Sequence, residues 1–358
     1  MKFSMQKSAM FIDLEKRVDN YFLDNKISKT GDWRLYTKTI FWLALYFWSY
    51  TSLIIVPPTE TWKLISLCLI HGLSWAGIGF NVVHDAAHGS YSENKFLNYI
   101  ISHFFDLLGV SNFMWRRKHN IAHHTYVNIE DEDDDIETLG AMRLSPNQEW
   151  KFYHIFQAFY ATPLYSLLYI LWISKKDLEK YKTRLVGNTN IPEMDNVDRF
   201  LFWFFKCLYL VIYFLIPILV WGSVALVGWL IAAGICGITI SLVFQLAHIV
   251  RKTQFPIPVN DKIESSFDLH QIETTCDFAT NNWLVCWLVG GLNFQVIHHL
   301  FPKISHVHYK AIQKIALVAF KEYGLKYNHY NTLTGAIFNG HFGHLWDMGK
   351  KPIVAKAA

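Results

Sequence analysis

The stretch Phe200–His248 reads FLFWFFKCLYLVIYFLIPILVWGSVALVGWLIAAGICGITISLVFQLAH and holds a single Lys, Arg, Asp or Glu, Lys206. A bilayer core needs roughly 20 mostly apolar residues to be crossed as a helix. This run is about twice that length, and "WGS" divides it, so it predicts two spans, 200–220 and 224–247, joined as a hairpin. Working outward, the same pattern occurs earlier: 40–56 leads through "PPTE" into 62–83. Bulk composition agrees, with 52% hydrophobic and only 17% charged residues, against roughly 25% charged in soluble domains. Fourteen Trp, 18 Tyr and 27 Phe suit aromatic belts at two membrane–water interfaces. The expected fold is all-α and integral to a membrane, with four spans in two hairpins.

Basic residues orient the hairpins. Lys and Arg number eight before the first span, twelve in 84–199 and eleven in 249–358, while neither hairpin turn holds one. The positive-inside rule then puts both termini and the long middle segment in the cytosol. Two further apolar stretches, 96–114 and 155–173, contain His103 and Asp106 or are interrupted by Pro163. They are expected as interfacial or partly embedded helices that cap the cytosolic face. The chain divides into a cytosolic arm (1–38), read as an amphipathic helix rather than a signal peptide, and one membrane domain (39–358). A net charge of +4, thinly spread, gives no nucleic-acid footprint. The five cysteines (Cys68, Cys207, Cys236, Cys276, Cys286) form no CxxC pair and are expected to be reduced packing residues.

Seventeen histidines matter less for their number than for their placement. "HDAAH" (His84, His88) ends the second span, "HNIAHH" (His119, His123, His124) lies in the middle segment, "QLAHIV" carries His248, and "QVIHHLFP" carries His298 and His299. By span parity all four groups reach one face of the membrane. In a helix, residues i and i+4 share a face, so His84 with His88, and His119 with His123, can grip one ion or two neighbouring ions. His124 points about 100° further round, and an adjacent HH pair can serve two metals. Eight neutral nitrogen donors exceed what one metal accepts, and the carboxylate-rich Glu-x-x-His pattern of soluble di-iron bundles is absent. The set points to two iron ions used for oxygen chemistry. His71, His103 and His154 read as core residues, and His306, His308, His329, His341 and His344 as surface or structural ones.

"HDAAHGS", "HNIAHHTYVN" and "QVIHHLFP", in that order and with the spans between them, resemble the three histidine boxes of the membrane fatty acid desaturases, over about Thr37–Lys326. The resemblance implies a cytosolic helical cap carrying a di-iron site that desaturates the acyl chain of an acyl-CoA or acyl lipid with O2. It implies ligands at His84, His88, His119, His123, His124, His298 and His299, with His248 matching the family's extra ligand. No side chain beyond the metal centre is assigned as catalytic. Gln295 opens the third box where many relatives have histidine, as in front-end and sphingolipid desaturases. It is left as a weak ligand, a holder of water or a partner to the ligands. No HPGG motif of a fused cytochrome b5 domain occurs, so the electron donor is expected to be a separate cytochrome b5 or ferredoxin with its reductase. The implied location is a multi-pass protein with its site facing the cytosol, in the plasma or inner membrane of a bacterium or the endoplasmic reticulum of a eukaryote.

Ligand histidines usually donate their second N–H to a carboxylate or carbonyl. Asp85, and Asp134 and Asp135 within "EDEDDDIE", are expected to accept, with Glu130–Asp133 left equally as a solvated loop. Arg116, Arg117 and Lys118 read as an anchor to lipid headgroups, or as contacts to the phosphates of a coenzyme A or lipid substrate. Arg251 and Lys252 carry the same alternatives. "HQIETTCDFATNNW" (270–283) resembles a region preceding the third box and is expected to shape the substrate entrance. The rivals are a di-iron lipid hydroxylase and, more distantly, an intramembrane zinc peptidase, since HDAAH resembles HExxH with Asp as base.

Overall fold

The computed structural model describes residues 1–56 and 58–352; Pro57, which opens the expected PPTE turn, and residues 353–358 lie outside the described residues. The fold is mostly helical, with three small two-stranded pairings. Among the described residues, three helices are long and apolar enough to cross a membrane: Thr61–His88, Asn196–Trp221 and Val224–His248. The helix Trp33–Ile54 has sufficient length, about 33 Å at 1.5 Å per residue. It falls short of the others in apolarity, because Lys38 and several Tyr, Ser and Thr residues dilute its aliphatic ones.

The stretch 155–173 is broken in its middle. It forms a helix pair, Phe152–Ser166 and Leu168–Thr183, bent by 56° and apolar enough to count as a fourth crossing if taken as one span. Pro163 sits inside the first of these helices, and the bend falls at Leu167 instead. The stretch 96–114 breaks into Lys95–Ser102, Phe104–Leu107 and Asn112–Arg117. Each piece is far too short to span. One break is Gly109, at φ +82°, where a Cβ would lie 2.8 Å from the Tyr209 ring.

The helix Thr61–His88 is the spine of the molecule, packed between Trp33–Ile54 and Val224–His248. A Cβ on Gly72 would stand 2.1 Å from the Ala232 carbonyl oxygen, and one on Gly77 would stand 2.2 Å from the Trp42 ring. Small residues let helix backbones approach where lipid provides no hydrophobic drive. Outward, Ile40 (69% exposed), Leu219 (77%) and Leu230 (52%) present apolar surface of a kind that soluble monomers avoid. Lys206 is not snorkelling to water: its ammonium donates to Gly109 O, Ile173 O and Asp177 Oδ2 (2.7–2.9 Å), closing a buried ion pair. All five cysteines are free, as expected.

At the end where the histidines gather, the N-terminal helix Ala9–Asn25 lays Phe11, Leu14, Val18 and Phe22 against Ile312, Ala316 and Phe320 of the helix Tyr309–Glu322. Ser8 caps the N-terminal helix and also donates to Asp268, while strand Lys2–Met5 runs parallel to Lys262–Ser266. Lys38 Nζ reaches His306 Nε2 at 2.9 Å. The start of the chain is therefore tied to the segment that carries the last histidines.

Candidate metal centre

Box one is the last turn of the spine helix itself. The helix widens into a π turn at Gly79–Val83 and then presents His84 and His88; Asn81 Nδ2 donates to Gly77 O and Leu288 O across it. Box two also lies on a π turn, Lys118–His123. π turns inserted into helices shift which side chains share a face, and they recur at functional sites. His248 ends the helix Val224–His248, and His298 and His299 lie on the short helix Gln295–Leu300.

All eight expected histidines meet. His84, His88, His119 and His298 each bring one ring nitrogen within 4.8 Å of the others; His123, His248 and His299 form a second such group; His124 groups with His298 and His299 between them. The two neighbouring residues of box three thus face different groups, as the HH pattern suggested. His119 and His123 remain neighbours across the π turn, their rings stacked with centroids 5.3 Å apart, and they group with Asp135, so box two joins the first group through His119 to the second through His123. The packing is close: His84 Nε2 and His124 Nε2 each lie 3.2 Å from His119 Nε2.

The chemistry of the donor set fits metal. His88 Nε2, His123 Nε2, His124 Nδ1, His298 Nε2 and His299 Nε2 are buried with no hydrogen-bond partner. Buried polar atoms are ordinarily satisfied, and five lone ring nitrogens turned into one small space are what cations would satisfy. Burial pushes His119, His124, His298 and His299 well below the ordinary 6.5, leaving neutral rings with free lone pairs. The opposite nitrogens are held from outside. His123 Nδ1 donates to Asp133 (3.1 Å), His299 Nδ1 donates to Gln271 Oε1 (2.9 Å), His298 Nδ1 meets the Tyr309 hydroxyl (3.0 Å) and His248 Nδ1 faces Thr274 O (3.3 Å). Such contacts fix ring orientation and tautomer.

These outer partners correct several expectations. Asp133, for which sequence leaves a solvated loop and a partner role equally open, is 2% exposed and holds His123. Asp135 reaches His123 Nδ1 more distantly, at 3.3 Å, and pairs with Lys118. Asp134 touches no histidine; it pairs with Lys180 at 2.8 Å and with Lys118 and Lys176 at 3.8 Å, which hold its carboxyl down at about 2 against the opposing effect of burial. Asp85 turns away from His84 and accepts from Ser305 Oγ (2.6 Å) and His306 Nδ1 (3.0 Å). That geometry removes it as the general base of a peptidase at HDAAH. Lys118 is a half-buried ion-pair partner of Asp135 rather than a headgroup anchor. Arg117 stacks on Phe113, 4.3 Å from the ring centroid, and Arg116 Nε is buried. Arg251 pairs with Asp347, and Lys252 donates to His329 O, so both tie down the C-terminal segment.

Gln295 Nε2 lies 2.9 Å from His248 Nε2, at the second group. The stretch 270–283 wraps the site from behind through Gln271 and Thr274. Gln271 and Tyr309 were missed altogether. Nothing in their spacing sets them apart, since each meets its histidine only through the tertiary fold. Of the histidines read as structural, His71 bonds Ser49 (2.9 Å), and His341 and His344 bond the carbonyls of Ile249 and Leu144 (2.7 Å each). His306 is buried rather than superficial, between Lys38 and Asp85.

Two cavities flank the histidines. An outer one of about 190 Å³ is lined by His119, Lys118, Asp135, Thr138, Leu168 and Lys176, among others. An inner, apolar one of about 30 Å³ runs past His84 towards Trp75, Phe105, Tyr169 and Cys236. Trp115, Trp172, Ile240 and Phe244 line both.

A family model described as "Fatty acid desaturase" matches residues 60–331. The chain is 33% identical to an sn-1 linoleoyl-lipid 6-desaturase of Arthrospira platensis, over 91% of this chain and 89% of that protein. It is 33% identical to the protein of the same description from Synechocystis sp. (strain ATCC 27184 / PCC 6803 / Kazusa), over 98% of each. An acyl-lipid (8-3)-desaturase of Physcomitrium patens is 32% identical over 96% of this chain and 72% of its own length.

Proposed function

This chain belongs to the fatty acid desaturase family and is an oxidoreductase; on that premise we propose that it inserts a double bond near the carboxyl end of an acyl chain, with an acyl lipid as substrate and an acyl-CoA as the alternative carrier. The position and carrier follow the curated relatives, which are named for lipid-linked acyl substrates. The observation that carries the reading is the convergence of eight histidines, five with partnerless buried nitrogens, beside an apolar cavity. The reaction balances as one O2, two electrons and two protons consumed, with two hydrogens leaving adjacent methylenes and two waters formed. Two iron ions held by His84, His88, His119, His123, His124, His248, His298 and His299 would supply O2-dependent oxidation of an unactivated C–H bond. Gln295 belongs with the second ion, as a weak ligand or the holder of a water.

The side chains do the rest. Asp133, Gln271, Tyr309 and Thr274 orient the rings. Trp115, Trp172, Ile240 and Phe244 clamp the alkyl chain between the two cavities and keep water from the reacting carbons. Electrons come from a separate cytochrome b5 or ferredoxin with its reductase.

Four crossings, with the site on the cytosolic face, account for the connectivity. His124 and His248 share one site, so the chain between them crosses an even number of times. Asn196–Trp221 and Val224–His248 supply two crossings, and the bent pair 152–183 must then return to its own side. Residues 1–38 pack beside the last histidines, so Trp33–Ile54 must cross if Thr61–His88 does. The uneven Lys and Arg distribution supports the cytosolic side.

The test is expression in a host supplied with linoleic acid and a redox partner, with fatty acid profiling and elemental analysis of the purified protein. New unsaturation with about two irons per chain is expected. Hydroxylated product in its place, or one zinc per chain, refutes the reading.

A further inference from the structure

The helix Val224–His248 is apolar along most of its length, yet it places Ser241 and Gln245 one turn apart on the face that lines the outer cavity. Ser241 is 3% exposed. Its Oγ and the Gln245 Oε1 are buried and, among the described residues, have no hydrogen-bond partner. A serine inside a helix usually bonds back to the preceding turn or reaches water, and a buried amide left unpaired is costly. Two such groups at i and i+4, opening into a cavity beside His119, form a polar patch without a partner, in which the hydroxyl can donate and the amide presents its accepting oxygen as placed and its NH2 once turned.

We propose that the Ser241 hydroxyl and the Gln245 side-chain amide seat the carbonyl oxygen of the acyl substrate, and that this seat fixes how far from the carboxyl end the double bond is placed. The inference rests on the desaturase reading above and adds to it the residues that set position. A carbonyl oxygen only accepts hydrogen bonds, and a hydroxyl and an amide both donate; the amide needs only to turn its Nε2 inward, since its two ends have nearly the same shape. The cavities give the direction. The cavity of about 190 Å³ carries the polar lining and the one past His84 is apolar, so the carboxyl end belongs in the first, beside His119, and the tail points into the second, beside His84. Distance agrees. Gln245 and Ser241 precede His248 by three and seven residues, or about 4.5 and 10.5 Å along the helix axis. Five carbon–carbon bonds of roughly 1.5 Å in zigzag span on the order of 6 Å, which falls between these two heights. A seat this close to the metal centre suits a bond made near the carboxyl end.

The experiment compares wild type with Ser241→Ala, Gln245→Leu, the double variant and Ser241→Thr, expressed in a host supplied with linoleic acid. Double-bond positions are read by mass spectrometry of derivatised fatty acids, and iron content is measured on each purified protein. Wild type should give one position. The double variant should keep its iron, make roughly tenfold less product, the loss expected when one or two hydrogen bonds go missing, and spread that product over more than one position. Ser241→Thr, which keeps the hydroxyl, should restore a single position. Unchanged positional purity in the double variant overturns the seat, whether the yield holds or falls together with iron. Wild type that binds two irons and makes no double bond overturns the underlying desaturase reading instead.

Discussion

Asp133→Asn isolates the link between the outer partners and the metal centre. The Asp133 carboxylate accepts from His123 Nδ1 (3.1 and 3.2 Å to its two oxygens), Asn128 N (2.9 Å) and Asp135 N (3.1 Å). Three donors converge on an acceptor that is 2% exposed. Asparagine keeps the shape but offers one oxygen, so its NH2 must face a donor. That removes a charge-assisted bond worth roughly 1.5–3 kcal/mol and leaves an N–H unpaired. Loss of an outer partner of a metal-bound histidine costs typically 10–100-fold in metal affinity or activity, which converts to about 1.4–2.7 kcal/mol; the two routes agree. The damage also spreads, because Asn128 Nδ2 donates to His248 O. We expect iron in the second histidine group to fall and product to drop by one to two decades, read by elemental analysis and fatty acid profiling on the same preparation. Asp134→Asn, which touches only lysines, should retain its iron. An Asp133→Asn protein with full iron and full activity, or an Asp134→Asn protein that loses more iron, would refute the reasoning.

Three further outcomes follow from the same geometry. Asp85→Asn should loosen the tie from box one to Ser305 and His306 and lower stability by about 2–3 kcal/mol, seen as a lower melting temperature in detergent; an unchanged melt would remove that tie from the account. Gly72→Ala drives a methyl into the Ala232 carbonyl and should cut the yield of folded protein, whereas Gly234→Ala meets nothing closer than 3.7 Å and should be tolerated; equal yields would show that the close helix contact is not needed. Burial holds His119, His124, His298 and His299 below 6.5 in the folded state. The unfolded chain then binds more protons below that value, and stability is lost as pH falls through it. The melting temperature of chelator-treated protein should drop between about pH 7 and pH 5, and a flat profile would contradict the buried neutral rings.

Sequence alone determined the spans at 62–83, 200–220 and 224–247 and the identity of the eight clustered histidines, because these depend on runs of apolar residues and on short-range spacing. Such patterns survive without knowledge of the fold. The stretch 40–56 was read the same way, but its aromatic and hydroxyl residues blur the signal, and the helix Trp33–Ile54 matches the other three in length and not in apolarity. The i and i+4 spacing put His119 and His123 on one face, and across the π turn at Lys118–His123 their rings stack and join two neighbouring groups. The choice of carboxylate belonged to tertiary structure alone. Asp133, Asp134 and Asp135 are alike as sequence, but the first meets His123 and the second meets three lysines, one from box two and two from the bent helix pair. Asp85, beside a histidine in sequence, serves a loop 220 residues away. Gln271 and Tyr309 acquire their roles the same way. A hydrogen bond requires a particular atom at about 3 Å in a particular direction, and only the packed chain decides which side chain arrives there.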